Sequence, residues 1–236
     1  MADAIDAGRS GWAGCPTCSQ DLSFDAAELR CVPCSLAWQQ DGDGVWSESP
    51  SATKASAVVA ALRSMTAEDW PDAAHRLATV PGFRAEDLPD AAWADWTMLA
   101  DLAGKTVWDI SEGPSLTAVT IARTAAYVVA SNPDEQVARC MMHAARLSGR
   151  ECFDVVASQP ERVPVRPAGV DHIVLGGALE RLPRDGKIER LERLAECLAP
   201  GGSLLFTADN RFSPVRSGRI RGAKLASESG YRTMLR

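Results

Sequence analysis

VDHIVLGGALERLPRDGKIERLERLAECLAPGGSLLF, residues 170–206, decides the fold. Residues 170–175 form a short apolar run of the kind that a buried strand needs. Residues 187–198 then repeat apolar side chains at helical spacing, so Ile188, Leu191, Leu194, Ala195 and Leu198 are expected to face inward. Glu189 and Arg193 can pair across one turn. Ala199-Pro200-Gly201-Gly202 reads as the stop, because proline and glycines cluster just past the last turn of helices. Residues 203–207 are a second apolar run. Strand, helix and strand in this order make a parallel unit with a crossover helix.

The same alternation extends upstream. Val107, Trp108 and Ile110 give a strand with Asp109 at its carboxyl end, and residues 115–124 give the helix that follows. Between them, Ser111-Glu112-Gly113-Pro114-Ser115 is a small-residue turn. Backbone N–H groups at such a corner point at a ligand, as in anion- and nucleotide-binding sites. Such corners usually carry two or three glycines, and this one has only Gly113. Residues 126–130 and 151–157 are further strands, with a helix over 133–147 between them. The fold class is therefore α/β: a doubly wound, mostly parallel sheet.

Near the start, Cys15-Pro-Thr-Cys18 and Cys31-Val-Pro-Cys34 lie twelve residues apart. Each pair places two thiols on one side of a tight turn. Two facing turns give the four-sulfur tetrahedron that zinc prefers. Redox dithiols are the alternative. A catalytic zinc is not expected, since four protein sulfurs leave no position for water. Short strands are expected at residues 21–24 and 29–30, with Trp38, Val45 and Trp46 as a small core beside the metal. A module of this size needs such a staple.

Composition narrows the function. The chain has 236 residues, 46% of them hydrophobic, and a net charge of −6. Nucleic acid is thus not an expected partner of the whole surface. Residues 210–236 nevertheless carry +6, from Arg211, Arg216, Arg219, Arg221, Lys224, Arg232 and Arg236 against Glu228. No apolar run is long enough for a membrane span and no signal peptide is evident, so a cytoplasmic location is expected. Three parts follow: a zinc ribbon over 1–48, a helical connector or cap over 49–103, and a Rossmann-like domain over 104–236. The connector's helical patterns carry Val58, Val59, Leu62 and Met65, then Trp70, Ala74, Leu77 and Val80, then Trp93, Trp96, Leu99 and Leu102. His75, Cys140, His143, Cys152, His172 and Cys197 read as packing or surface residues.

The cysteine pairs, with Leu22, Leu29, Trp38 and Asp41-Gly42-Asp43-Gly44, resemble the zinc ribbons that precede some methyltransferase domains. They are also similar to the small free-standing zinc-ribbon activators of RNA and protein methyltransferases. From about Gly104 the chain resembles the class I S-adenosylmethionine-dependent methyltransferases, most closely over residues 170–206. Position by position, the resemblance places Asp109 at that family's acidic strand end. Gly113 stands at its middle glycine, with Ser111 and Ser115 at the outer two. Asn132 stands where the family grips the ribose hydroxyls, and Gln159 where it contacts adenine. Serine in place of glycine at a left-handed position costs roughly 1 kcal/mol. Asn132 forfeits a charge-assisted bond worth roughly 1–2 kcal/mol. Together the departures weaken the cofactor site by about 3–5 kcal/mol.

The resemblance implies methyl transfer from S-adenosylmethionine to a small-molecule acceptor. The alternative is a catalytically inactive, methyltransferase-like scaffold working with a partner chain. A third reading, RNA binding through the ribbon and the basic tail, would show a steep salt dependence. Residues 225–236 look like the helix that normally precedes the family's sixth strand, and its final hairpin is missing from the pattern. The fifth strand would then need a partner chain, or a second copy, along its edge.

Overall fold

The computed structural model describes residues 11–25, 27–49, 55–81, 100–111, 117–176 and 186–206. Gly113, Ser115, the tryptophans Trp93 and Trp96, and the basic segment 210–236 lie outside them.

Among the described residues, nine strands form one sheet in the order β1-β2-β3-β4-β7-β6-β5-β8-β9. The cysteine-bearing segment supplies β1 (Ser23–Asp25), β2 (Glu28–Cys31), β3 (Leu36–Gln40) and β4 (Val45–Ser47), paired antiparallel. The rest is parallel: β5 (Thr106–Ser111), β6 (Tyr127–Ser131), β7 (Phe153–Val156), β8 (Val170–Gly176) and β9 (Leu198–Phe206). The two halves meet where β4 pairs parallel with β7, Val45 opposite Val155 and Trp46 opposite Val156. The ribbon thus extends the parallel sheet beyond β7.

Alternation along the strands separates two apolar layers. One face carries Val107, Val128, Ala130, Val155 and Val174 under α3 (Thr117–Ile121) and α4 (Glu135–Leu147). The connector helix α1 (Ala57–Ser64) packs on α4, burying Val59 and Leu62. A 3₁₀ turn (Ala67–Asp72) and the short α2 (Ala73–Leu77) follow it, rather than one interrupted helix. The other face carries Trp108, Tyr127, Val129, Val156 and Ile173. Its cover has two parts: α5 (Lys187–Cys197) with Leu191 and Leu194, and the ribbon with Trp12, Leu29, Trp38 and Trp46. The crossover from β7 to β8 has only one 3₁₀ turn, Pro160–Arg162, so the ribbon occupies the layer that a crossover helix fills in most parallel units.

Three expectations are corrected. In α5 the inward stripe is Lys187, Leu191 and Leu194, while Ile188 is 48% exposed. Because α3 is a single short turn of helix, residues 122–124 are not part of it. The strand expected at Ser203 starts at Leu198, directly after α5, and Pro200-Gly201-Gly202 lies within it. There the register slips between Val170 and His172, and Gly201 takes φ +81. These glycines therefore form a bulge inside a strand, not a helix stop. A Cβ at Gly202 would stand 2.5 Å from the Asp171 carbonyl oxygen. Gly202→Ala is accordingly expected to destabilise the chain by about 1–3 kcal/mol, read from the urea midpoint.

Candidate functional site

The carboxyl ends of β5, β6 and β7 lie side by side, since Ile110 pairs with Ser131 and Ser131 with Val156. Ser111 closes β5, and Asn132 follows β6 directly. Gln159 comes three residues after β7, is exposed, and precedes the 3₁₀ turn. The structure therefore puts the sequence-derived positions Ser111, Asn132 and Gln159 on one edge of the sheet, which is where open α/β sheets bind ligands.

Asp109 stands two residues back from that edge. It is fully buried, and among the described residues neither carboxylate oxygen has a hydrogen-bond partner. Burial pushes its pKa up to about 7. Asn132 differs: it is buried, and its Oδ1 accepts the Asp134 backbone N–H at 2.8 Å. Asp134 in turn caps α4 through Gln136 and Val137 N–H groups. Asn132 thus builds the β6–α4 turn with the oxygen that the resemblance assigns to a ribose.

Two buried polar clusters have no signature in the sequence. In the first, Asp154 of β7 accepts the Trp46 indole N–H at 3.1 Å and the Tyr127 hydroxyl at 2.5 Å. It joins the ribbon to the parallel sheet. In the second, Asp43 of the β3–β4 turn accepts Arg63 Nε of α1 at 2.9 Å and His143 Nε2 of α4 at 3.0 Å. Arg139 of α4 lies 3.0 Å from Asp41 and 3.4 Å from Asp43. Burial opposes the charge on Asp43, but hydrogen bonds from Arg63 and His143 outweigh it and hold the carboxyl below its usual range. Burial holds His143 below its ordinary value against the pull of Asp43. Since a carboxylate only accepts, the neutral imidazole presents its Nε2–H to Asp43. Asp43→Asn leaves one oxygen for Arg63 Nε and His143, but it removes the negative charge and turns an N–H donor toward Arg63 Nη2 and Arg139, which keeps Asp41. A loss of about 1–3 kcal/mol is expected by thermal unfolding at pH 7.

At the ribbon's tip, the sulfurs of Cys15, Cys18, Cys31 and Cys34 all lie within 4.8 Å of one another, with Cys18 and Cys31 at 3.5 Å. A zinc tetrahedron with Zn–S bonds of about 2.3 Å has edges of about 3.8 Å, so the donors fit. Each knuckle ends on a serine in the left-handed region, Ser19 at φ 58 and Ser35 at φ 55. Burial works against ionising Cys15, yet the N–H groups of Cys18 and Thr17 and the neighbouring thiols bring it to about 7. Cys34 is pushed up to about 12, first by its hydrogen bond with Cys18, then by burial. Four sulfurs this close cannot all ionise without a cation among them.

His172 donates to or accepts from Ser203 Oγ at 2.7 Å across β8 and β9, a packing role as expected. No helix among the described residues is long and apolar enough to cross a membrane.

No protein-family model matches the chain, and no curated protein matches it. Solved structures do. A protein described as a putative methyltransferase (BH2331) from Bacillus halodurans is 19% identical, with a TM-score of 0.52 over 62% of this chain and 67% of that one. The YcgJ protein from Bacillus subtilis is 16% identical, with a TM-score of 0.49 over 59% of this chain and 63% of that one. Phosphoethanolamine N-methyltransferase 1 from Haemonchus contortus, solved with phosphoethanolamine and S-adenosylhomocysteine, is 18% identical, with a TM-score of 0.49 over 70% of this chain and 37% of that one. The chain thus spans about two thirds or less of these structures. It has the Rossmann-like fold of the S-adenosylmethionine-dependent methyltransferases, with a four-cysteine cluster able to bind a metal near its N-terminus.

Proposed function

We propose that the chain binds S-adenosylmethionine at the carboxyl edge of β5, β6 and β7 and transfers its methyl group to a small-molecule acceptor. One observation carries the reading: the buried carboxylate of Asp109, unpartnered among the described residues. A group like this lowers stability and persists where function uses it. When bound, S-adenosylmethionine supplies an electrophilic methyl group. Asp109, Ser111, Gly113 and Ser115 would hold its amino-acid end, and Asn132 and Gln159 its nucleoside. Zinc at the four cysteines serves as a structural ion. We assign a cytoplasmic setting and, along the outer edge of β9, a partner chain or second copy.

Calorimetric titration with S-adenosylhomocysteine tests this. Binding in the range of about 10 μM to 1 mM is expected from a site with weakened contacts. No heat at millimolar ligand overturns it.

A second reading, a non-catalytic scaffold, is favoured by Asn132, whose side-chain oxygen is taken by the Asp134 N–H. Under that reading the natural chain stays silent in the titration. Replacing Ser111 and Ser115 by glycine and Asn132 by aspartate then creates binding.

A further inference from the structure

The loop from Ala157 to Gly169 has only one 3₁₀ turn to satisfy its backbone, and the ribbon supplies several of the other partners. At its start, the Ala157 N–H donates to the Trp46 carbonyl at 2.7 Å. In its middle, the Arg162 guanidinium forks onto the Glu48 carboxylate, Nε to Oε1 at 2.6 Å. Further on, the Gly14 N–H donates to Pro164 and the Arg166 N–H to Trp12, both at 2.9 Å, around the antiparallel bridge of Ala13 and Val165. Gly14 permits this approach, since a Cβ there would stand 2.4 Å from that of Arg166. On the opposite side, Glu161 pairs with Arg190 of α5. Val163 and Val165 are buried in the same layer as Cys15 and Cys31. The exposed Gln159 stands inside this grip.

We propose that the metal-centred ribbon clamps the loop after β7, so that metal occupancy and ligand binding at Gln159 strengthen each other. This rests on the reading of Gln159 as a nucleoside contact. The segment Trp12–Gly14 leads directly into Cys15, and Trp46 and Ser47 end the ribbon's last strand with Glu48 just beyond it. An ion that fixes the two knuckles therefore fixes both attachment lines of the loop. A ligand that orders the loop must favour the metal-bound ribbon by the same factor. Glu48, Arg162 and Arg190 act here as positioning residues.

The test uses the full chain. Zinc affinity is measured by competition with a chromogenic chelator, with and without saturating S-adenosylhomocysteine. The ligand is expected to raise zinc affinity about three- to tenfold. Glu48→Arg is expected to abolish that gain, and the charge-swapped Glu48→Arg/Arg162→Glu pair to restore it. Equal zinc affinity with and without a ligand that calorimetry shows to be bound overturns the coupling. A ligand that calorimetry shows not to bind overturns the cofactor reading instead, and amide exchange then decides the clamp. Faster exchange over residues 157–166 in Glu48→Arg, with β5 and β6 unchanged, supports it. Unchanged exchange over residues 157–166 overturns it.

Discussion

Stripping the metal, or replacing Cys31 by alanine, is expected to unfold the parallel sheet together with the ribbon. A ribbon that were merely appended would melt alone and leave the α/β layers intact. Here Trp12, Leu29, Trp38 and Trp46 are each no more than 1% exposed, and they share one core with Trp108, Val129 and Ile173. Losing the ribbon would uncover the part of that face that α5 does not reach, over β6 and β7, where the crossover has only a 3₁₀ turn. Zinc binding to small modules supplies about 10–16 kcal/mol, whereas whole domains are stable by about 5–15 kcal/mol. The loss is therefore as large as the whole stability of a typical domain. Circular dichroism during titration with a strong chelator checks this: one transition, with helix and strand signals lost together. Survival of the helical signal would show that the ribbon is a dispensable appendage.

Asp109→Asn is expected to stabilise the chain strongly above neutral pH while weakening S-adenosylhomocysteine binding. Burial raises the native pKa to about 7, well above the ordinary carboxylate range. The unfolded chain releases this proton near pH 4, whereas the native chain keeps it to about 7. Across that window the native state holds more protons, so stability falls as pH rises, and the full penalty is present above 7. The amide removes that charge. The gain is on the order of 2–4 kcal/mol at pH 8 and close to zero at pH 4. Urea unfolding at the two pH values measures it. A gain that does not depend on pH would sink the assignment of a buried, ionisable carboxylate.

The parallel layers were legible because their signals are local. Residues 170–206 show apolar runs and a 3.6-residue period, and the strands fell close to where those patterns put them. The cysteine pairs were legible because the spacing of the donors is itself the geometry. Three features were not. The ladder between Val45-Trp46 and Val155-Val156 is two residues long and 110 apart in sequence, so nothing near either end announces it. Lys187 and Ile188 both suit the start of an amphipathic helix, and tertiary packing, not periodicity, chose Lys187 for the inside. Asp43 and His143 each look ordinary alone, and their meaning lies in meeting across 100 residues. At the candidate site, the position of Asn132 was readable from its place after β6. Its hydrogen bond to the following turn was not, because asparagine serves ligands and turns with the same oxygen.

The shared ladder of β4 and β7 also has a consequence for biosynthesis. Trp46 and its partner Asp154 are 108 residues apart. At elongation rates of about 5–20 residues per second, the ribbon waits roughly 5–20 s for its neighbour to be made. During that interval Trp12, Trp38 and Trp46 have no sheet to cover, and β4 presents a bare edge. Zinc can close the knuckles long before β7 exists. The metal would then give the nascent chain its first ordered structure, and a cell short of zinc would expose an aromatic, edge-bearing intermediate to aggregation. Pulse-labelled synthesis with and without zinc, followed by protease challenge, would reveal whether early metal capture sets the yield of folded chain.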